Sequence, residues 1–156
     1  MEFIFNDGGR KDAGYKGQTG DCVVRAIAIT TGKTYQEVYD AINVLSESKK
    51  LGKRKVKGHY GTSYKKVSAS RTGVVKKVYG EYLKALGYEW IPIMGIGTGC
   101  KVHLKPDELP TGRIIVRLSG HISAVIDGVI NDTYNCSREG TRCVYGYYKL
   151  NVANPI

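Results

Sequence analysis

Two residue types in this chain are placed where they can do chemistry together, a cysteine at a predicted helix start and a histidine at a predicted strand start. Cys22 opens an apolar stretch whose composition predicts a buried helix over about 22–31, with Asp21 as its capping residue. A thiolate at a helix N-terminus is stabilised by the free N–H groups and the helix dipole, so its pKa falls. Cys22 is therefore a candidate nucleophile that needs a base.

The chain has three histidines, and His121 is the best candidate for that base. His59 lies in a strongly basic segment, and His103 lies in an irregular stretch flanked by glycine and proline. His121 instead begins an apolar run that predicts a strand over 121–126. We therefore predict that His121 activates Cys22.

A predicted β-hairpin identifies a third candidate residue of the site. The Asp-Gly pair at 127–128 lies between two apolar runs and predicts a two-residue turn that joins strands at 121–126 and 129–134. Because side chains alternate along a strand, this register places His121 and Asp132 on one face, diagonally across the hairpin. Asp132 can then hold the imidazole tautomer and stabilise the imidazolium.

The order of the remaining elements indicates the fold class. A capping box at Thr34 and Glu37 predicts a helix over about 35–48, and a third helix is predicted over about 74–86. Strands are predicted at 88–94, 113–118, 121–126, 129–134 and 143–150, and residues 1–20 are predicted to be largely irregular. Helices followed by strands favour an α+β fold, with N-terminal helices packed on a C-terminal antiparallel sheet. The length of 156 residues is that of one domain.

These residues together resemble the papain-like cysteine protease superfamily, above all its small bacterial and phage members of the double-glycine peptidase type. The matching features are a glutamine, Gln18, before an Asp-Cys pair that opens a helix, a later histidine at a strand start, and an acidic residue on the next strand. The resemblance implies a papain-like fold and a thiolate–imidazolium pair that attacks an amide or related acyl carbon. Gln18 lies where its amide can donate to the oxyanion, beside the backbone N–H of Cys22.

The implied activity is thiol-dependent hydrolysis or transfer at an amide, isopeptide or thioester bond, through Cys22, His121 and Asp132. Such an enzyme acts on a protein or peptide and needs no cofactor. The superfamily also hosts transglutaminases, deamidases and acyltransferases, and a fold does not choose among these activities. The whole chain also resembles phage-type proteins.

The net charge of +10 is concentrated in one segment. The stretch from Lys49 to Lys77 is rich in Lys and Arg and contains no Asp or Glu, and its glycines and serines predict a long exposed loop at about 49–73. Such a loop attracts polyanions. The candidate anion-binding residues are Lys53, Arg54, Lys55, Lys57, Lys65 and Lys66. The alternative function is therefore a non-catalytic phage-type protein that holds nucleic acid or a nucleotide with this loop.

The sequence also gives expectations for the cellular location of the protein and for the chemical state of its cysteines. The first seven residues lack the basic and apolar regions of a secretory signal, and no apolar run reaches the roughly 18 residues of a membrane span, so a cytoplasmic location is expected. In a reducing cytosol the four cysteines are expected to be thiols and not disulfides. Cys100, His103, Cys136 and Cys143 can assemble a zinc site, or the cysteines can simply pack in the core.

Overall fold

The computed structural model describes residues 1–17 and 19–151 and confirms the α+β class. The helices of this part of the chain are α1 (Cys22–Thr31), α2 (Tyr35–Ser48) and α3 (Lys76–Ala85). Its strands are β1 (Phe3–Phe5), β2 (Lys53–Gly58), β3 (Gly61–Lys66), β4 (Tyr88–Pro92), β5 (Arg113–Leu118), β6 (His121–Ile126), β7 (Val129–Asp132) and β8 (Gly146–Leu150). None of the helices in the described ranges combines the length and the apolar character needed to cross a membrane.

The main sheet has six strands in the order β1-β7-β6-β5-β8-β4. Neighbouring strands run antiparallel except β1, which pairs parallel with β7 and places Phe5 opposite Asp132. The predictions of a wholly antiparallel sheet and of an irregular N-terminal segment are therefore wrong at this edge. A parallel partner is joined by no local turn, so a three-residue strand such as Phe3–Phe5 carries no sequence signal of its pairing.

Apolar side chains cover both faces of this sheet. On one face α1 packs against β5 and β6, and Val24, Ile27 and Ile115 are fully buried there. On the other face a second cluster includes Val116 and Ile130, since successive residues of a strand point to opposite sides. Burial of each such aliphatic side chain contributes about 2 kcal/mol, so α1 is held firmly against the strands that carry the candidate base.

The basic segment is not the irregular loop that the sequence predicted. β2 and β3 form an antiparallel hairpin that pairs with no other strand of the described chain, and we call residues 53–66 the basic hairpin. Its base is tied to the rest of the protein by a 3.0 Å hydrogen bond between the hydroxyls of Ser46 and Ser68. Lysine and glycine are depleted in strands and the hairpin has no apolar face, so neither composition nor periodicity identified it.

Candidate active site

The start of α1 is fixed by a buried carboxylate just before Cys22. Asp21 stands at the capping position, but its side chain makes no capping hydrogen bond. It is fully buried, accepts a 2.7 Å hydrogen bond from the hydroxyl of Tyr35, and pairs with the guanidinium groups of Arg25 and Arg10. The prediction that Asp21 caps α1 is therefore wrong, because charged and phenolic donors from other elements bind its oxygens. The Asp21 carboxylate therefore does not cap the first N–H groups of α1.

The predicted hairpin between β6 and β7 is confirmed in its register, although β7 ends at Asp132 and not at residue 134. Ile126 pairs with Val129 across the turn, and both turn residues, Asp127 and Gly128, have positive φ, as a type I′ turn requires. The register brings Nε2 of His121 to 2.7 Å from Oδ2 of Asp132. The predicted contact between these two side chains is therefore present, and both side chains are almost completely buried.

Both oxygen atoms of the Asp132 carboxylate accept hydrogen bonds. Oδ2 accepts hydrogen bonds from His121 and from the hydroxyl of Ser123, the latter at 2.7 Å. Oδ1 accepts from the backbone N–H of Thr133 at 2.7 Å and lies 3.4 Å from Nη2 of Arg25. Burial alone would raise the pKa of Asp132, but the hydrogen bonds from His121, Ser123 and Thr133 and the positive charge of His121 outweigh burial and hold its pKa below the ordinary value. Asp132 is therefore a fixed negative charge behind the imidazole.

The imidazole of His121 lies between this carboxylate and the thiol of Cys22. Since Nε2 is bound to Asp132, Nδ1 is the nitrogen left for Cys22. Burial opposes ionisation of the thiol, yet the hydrogen bond from His121, its positive charge, the N–H of Ile122 and the charge of Arg25 together lower the pKa of Cys22. Burial likewise disfavours the imidazolium, but Asp132, Cys136 and Cys22 raise the pKa of His121 well above its usual value. Both shifts favour the thiolate–imidazolium form over the neutral pair.

Several residues of the site escaped the sequence reasoning. Arg25 lies one helical turn after Cys22, and that i, i+3 spacing is the signal that could have identified it. Tyr134 places its ring 5.3 Å from the ring of His121 and is half-exposed. Cys136 is buried beside His121, and its sulfur lies within 4.8 Å of an imidazole nitrogen and a carboxylate oxygen of Asp132. No pattern links Cys136 to the site, because it follows β7 in an irregular segment.

An apolar groove lies between α3 and the strands β4 and β8. Its wall includes Gly80, Trp90 and Tyr148, and the Trp90 and Tyr148 rings lie 4.8 Å apart. Tyr148 also meets Tyr79 edge to face, with ring centroids 6.1 Å apart. Burial raises the pKa of Tyr79, the positive charge of Arg117 opposes this rise, and the charge of Cys22 adds to it.

The predictions for Gln18 and for the four cysteines have different outcomes. Gln18, the predicted oxyanion donor, lies outside the described residues. The predicted four-residue zinc site is wrong, because Cys136 belongs to the His121 cluster while Cys100, His103 and Cys143 meet elsewhere. Cys100 and Cys143 are joined by a disulfide, so the expectation that all four cysteines are thiols is also wrong. Sequence spacing did not reveal this pair, since the partners are 43 residues apart.

The candidate anion-binding residues all lie on the basic hairpin, and its register divides them between two faces. Paired residues of an antiparallel hairpin share a face. One face therefore carries Lys53, Lys55, Lys57 and Lys66 with Tyr64 among them, and the other carries Arg54 and Lys65. Tyr64 is 65% exposed and Tyr60, at the tip, is 99% exposed. Lys66 is bound to Glu47 at 3.0 Å, which anchors the lysine face near α2.

Comparison with protein-family models, curated proteins and solved structures finds no match for this chain.

Proposed function

We propose that this protein is a papain-like thiol enzyme that hydrolyses or transfers an acyl group at an amide, isopeptide or thioester bond. The observation that supports it most is the placement of one imidazole between Asp132 and Cys22, with Nε2 of His121 2.7 Å from the carboxylate. This is the arrangement of a nucleophile, a base and an orienting acid. A buried structural cysteine needs neither the imidazole nor the carboxylate behind it.

The chemistry begins with the thiolate of Cys22. It attacks the acyl carbon of the substrate, and the carbonyl oxygen takes up the electron pair as an oxyanion that backbone N–H groups at the start of α1 can stabilise. His121 then gives the proton on Nδ1 to the leaving group, which departs and leaves a thioester on Cys22. Water, or an amine in a transferase, attacks this thioester, and His121 takes the proton from the attacking group. The C–S bond then breaks, which releases the acyl product and restores the Cys22 thiolate.

The surrounding residues hold the imidazole in place. Asp132 accepts from Nε2 throughout the cycle and stabilises the imidazolium, and Ser123 fixes the carboxylate through its 2.7 Å hydrogen bond. Arg25 pairs with both Asp21 and Asp132, which ties the thiol's helix to the carboxylate's strand. We regard Ser123 as a positioning residue, since it acts through Asp132, whereas Arg25 positions Asp132 and also lowers the pKa of Cys22 by its charge.

A protein or peptide is the substrate class that the proposed chemistry favours. The groove beside α3 is lined by aromatic side chains, including Trp90, and Nζ of Lys76 lies 4.7 Å from the centre of the Trp90 ring. Such a wall offers apolar contact to side chains along an extended segment.

The pH dependence of Cys22 alkylation by iodoacetamide tests the proposal. Adducts located by mass spectrometry distinguish Cys22 from Cys136. We expect fast alkylation of Cys22 well below the ordinary thiol pKa of about 8.5, and loss of this behaviour in a His121→Ala variant. A His59→Ala variant, altered at the tip of the basic hairpin, is the matched control and should react as the unaltered protein does. Ordinary thiol titration in both the unaltered protein and His121→Ala would reject the proposal.

The basic hairpin favours a second candidate function, the binding of single-stranded nucleic acid by a protein whose Cys–His pair is inert. Its lysine face places Tyr64 between Lys53 and Lys57, next to Lys55 across the ladder. A base can stack on an exposed tyrosine while neighbouring ammonium groups contact phosphates. Exposed aromatic and cationic groups on one face are the observation that supports this candidate.

Two matched charge removals test the hairpin. Lys55→Gln with Lys57→Gln alters the face that carries Tyr64, and Arg54→Gln with Lys65→Gln removes the same charge from the other face. We expect the first pair to weaken binding of an unstructured oligonucleotide more, and to reduce the slope of log K against log salt by about 0.7 for each phosphate that is no longer neutralised. Equal effects of the two pairs would show that only net charge matters. Cys22 alkylation should be unchanged in both.

A further inference from the structure

A cluster of metal-binding residue types lies apart from the candidate active site. One ligand atom each of Cys100, His103 and Cys143 lies within 4.8 Å of the other two. The second such cluster in the described ranges belongs to His121, Asp132 and Cys136 and shares none of these residues. The three ligands therefore form a separate candidate site.

The backbone holds this cluster in place. His103 and Cys143 face each other in an antiparallel bridge. The N–H of Leu104 donates to the carbonyl of Arg142 at 2.8 Å, and the N–H of Val144 donates to the carbonyl of Val102 at 2.9 Å. Leu104 and Val144 are also fully buried. His103 and Cys143 are thus fixed on rigid neighbouring segments, and Cys100 joins them through its disulfide with Cys143.

A carboxylate orients the imidazole of this cluster. Nδ1 of His103 lies 3.3 Å from Oε1 of Glu108, at the end of a short 3-10 turn at Pro106–Glu108. A histidine that ligates a metal usually gives its other ring nitrogen to a carboxylate or carbonyl, which fixes the tautomer. Glu108 thus orients the ring of His103 beside the two sulfur atoms.

We propose that, once the Cys100–Cys143 disulfide is reduced, this cluster binds one zinc ion through the two thiolates and His103, with a water in the fourth position. Two thiolates and an imidazole are ligands that zinc prefers, and the Cys-x-x-His spacing of residues 100–103 suits them. A thiol or phosphine reductant supplies two electrons to break the S–S bond, and zinc binding then releases the two thiol protons. The disulfide and the zinc complex are alternative states of the same sulfur atoms.

Metal titration of the reduced full-length protein tests this site. The protein is reduced with a phosphine, freed of reductant without oxygen, and titrated with Zn²⁺ against a chromophoric chelator and with Co²⁺ for its thiolate-to-metal charge-transfer band. We expect one equivalent in the reduced protein, and none at this cluster in the oxidised protein. No tight binding by the reduced protein would overturn the proposal.

Single substitutions assign the ligands. Cys100→Ser should abolish the one-equivalent binding, and its side chain is exposed, so the fold is expected to survive. Glu108→Gln should weaken binding by about 10–100-fold, as loss of an orienting carboxylate does. Cys136→Ser is the matched control, because it removes a thiol from the other cluster, and it should leave the titration unchanged. Binding that survives Cys100→Ser but is lost in Cys136→Ser would overturn the proposal and place the metal beside His121.

Discussion

Tyr35 donates its hydroxyl to the fully buried carboxylate of Asp21, 2.7 Å away, and so connects α2 to the residue that precedes Cys22. Burial and this negative charge raise the pKa of Tyr35 well above its ordinary value. The same carboxylate pairs with Arg25, which also reaches Asp132. The direction in which α1 presents its first turn is therefore set by a hydrogen bond from a neighbouring helix.

Removing the Tyr35 hydroxyl should destabilise the protein. Tyr35→Phe leaves a buried carboxylate oxygen with one donor fewer, and we expect a loss of about 1–3 kcal/mol in the free energy of unfolding. Urea denaturation followed by circular dichroism measures it. Tyr15→Phe is the control, because Tyr15 donates to Gln36 at the surface at 2.9 Å and its loss should cost less than about 0.5 kcal/mol. Equal losses of unfolding free energy in Tyr35→Phe and Tyr15→Phe would contradict this prediction.

Neutralising Asp132 should raise the pKa of the Cys22 thiol. Asp132→Asn removes the charge that favours the imidazolium of His121, and the imidazolium is what stabilises the thiolate. We expect the alkylation rate of Cys22 at pH 6 to fall at least about tenfold, which corresponds to one unit of pKa. Ser123→Ala, which leaves the charge in place, should change the rate less. An alkylation rate unaffected by Asp132→Asn would show that the carboxylate does not influence the ionisation of Cys22.

The stability contributed by Asp132 should depend on pH in a defined window. Its folded-state pKa lies below the ordinary 3.8, so its contribution is present above pH 3.8 and is lost as the pH falls through the folded value. The pKa of His121 is raised above 6.5, so its contribution is full below pH 6.5 and declines as the pH rises toward the folded value.

The difference in unfolding free energy between the unaltered protein and Asp132→Asn should therefore be largest between about pH 4 and 6.5. We expect a maximum of about 3 kcal/mol there, as for loss of one partner of a buried pair. Denaturation curves collected across the pH range measure this difference. A difference that stays constant down to pH 2 would be inconsistent with a lowered carboxyl pKa.

Gly146 should tolerate no side chain. It lies on β8 opposite Pro92, and an added Cβ would come within 2.5 Å of the Trp90 ring and 2.6 Å of the Ile91 carbonyl oxygen. Gly146→Ala should destabilise the protein by about 1–3 kcal/mol, as overpacking does. Gly58→Ala is the matched control in a strand, because its nearest non-neighbouring atom is 3.5 Å away. The melting temperature of Gly146→Ala should lie clearly below that of Gly58→Ala.

Local signals in the sequence were enough to predict the half of the site on β6 and β7. The turn at 127–128 fixes which residues pair, and period-2 alternation then fixes that His121 and Asp132 share a face. α1 was likewise predicted over its observed range, because its apolar run is long and Gly32 ends it with positive φ. These features depend on neighbours in sequence, which is why they could be predicted.

Features that depend on distant partners could not be predicted. The carboxylate of Asp21 has an ordinary local preference for capping, but Tyr35 and two arginines compete for it. The parallel pairing of β1 and the disulfide between Cys100 and Cys143 join segments without a turn between them. The basic hairpin pairs with no other strand of the described chain and is held near its base by Ser46 and Glu47, and its many lysines give it the composition of a loop.

The proposed site joins two parts of the chain that are far apart in sequence, so the order of synthesis matters. Asp132 on β7 lies 107 residues after Arg25, which is on the same helix as Cys22. On a ribosome, Cys22 therefore emerges long before the residues that would activate it. At the usual speed of translation this delay is on the order of 5–20 s. During that time the thiol has neither imidazole nor carboxylate beside it. Under the proposed chemistry, a growing chain is therefore harmless to its surroundings until the last strands close around the nucleophile.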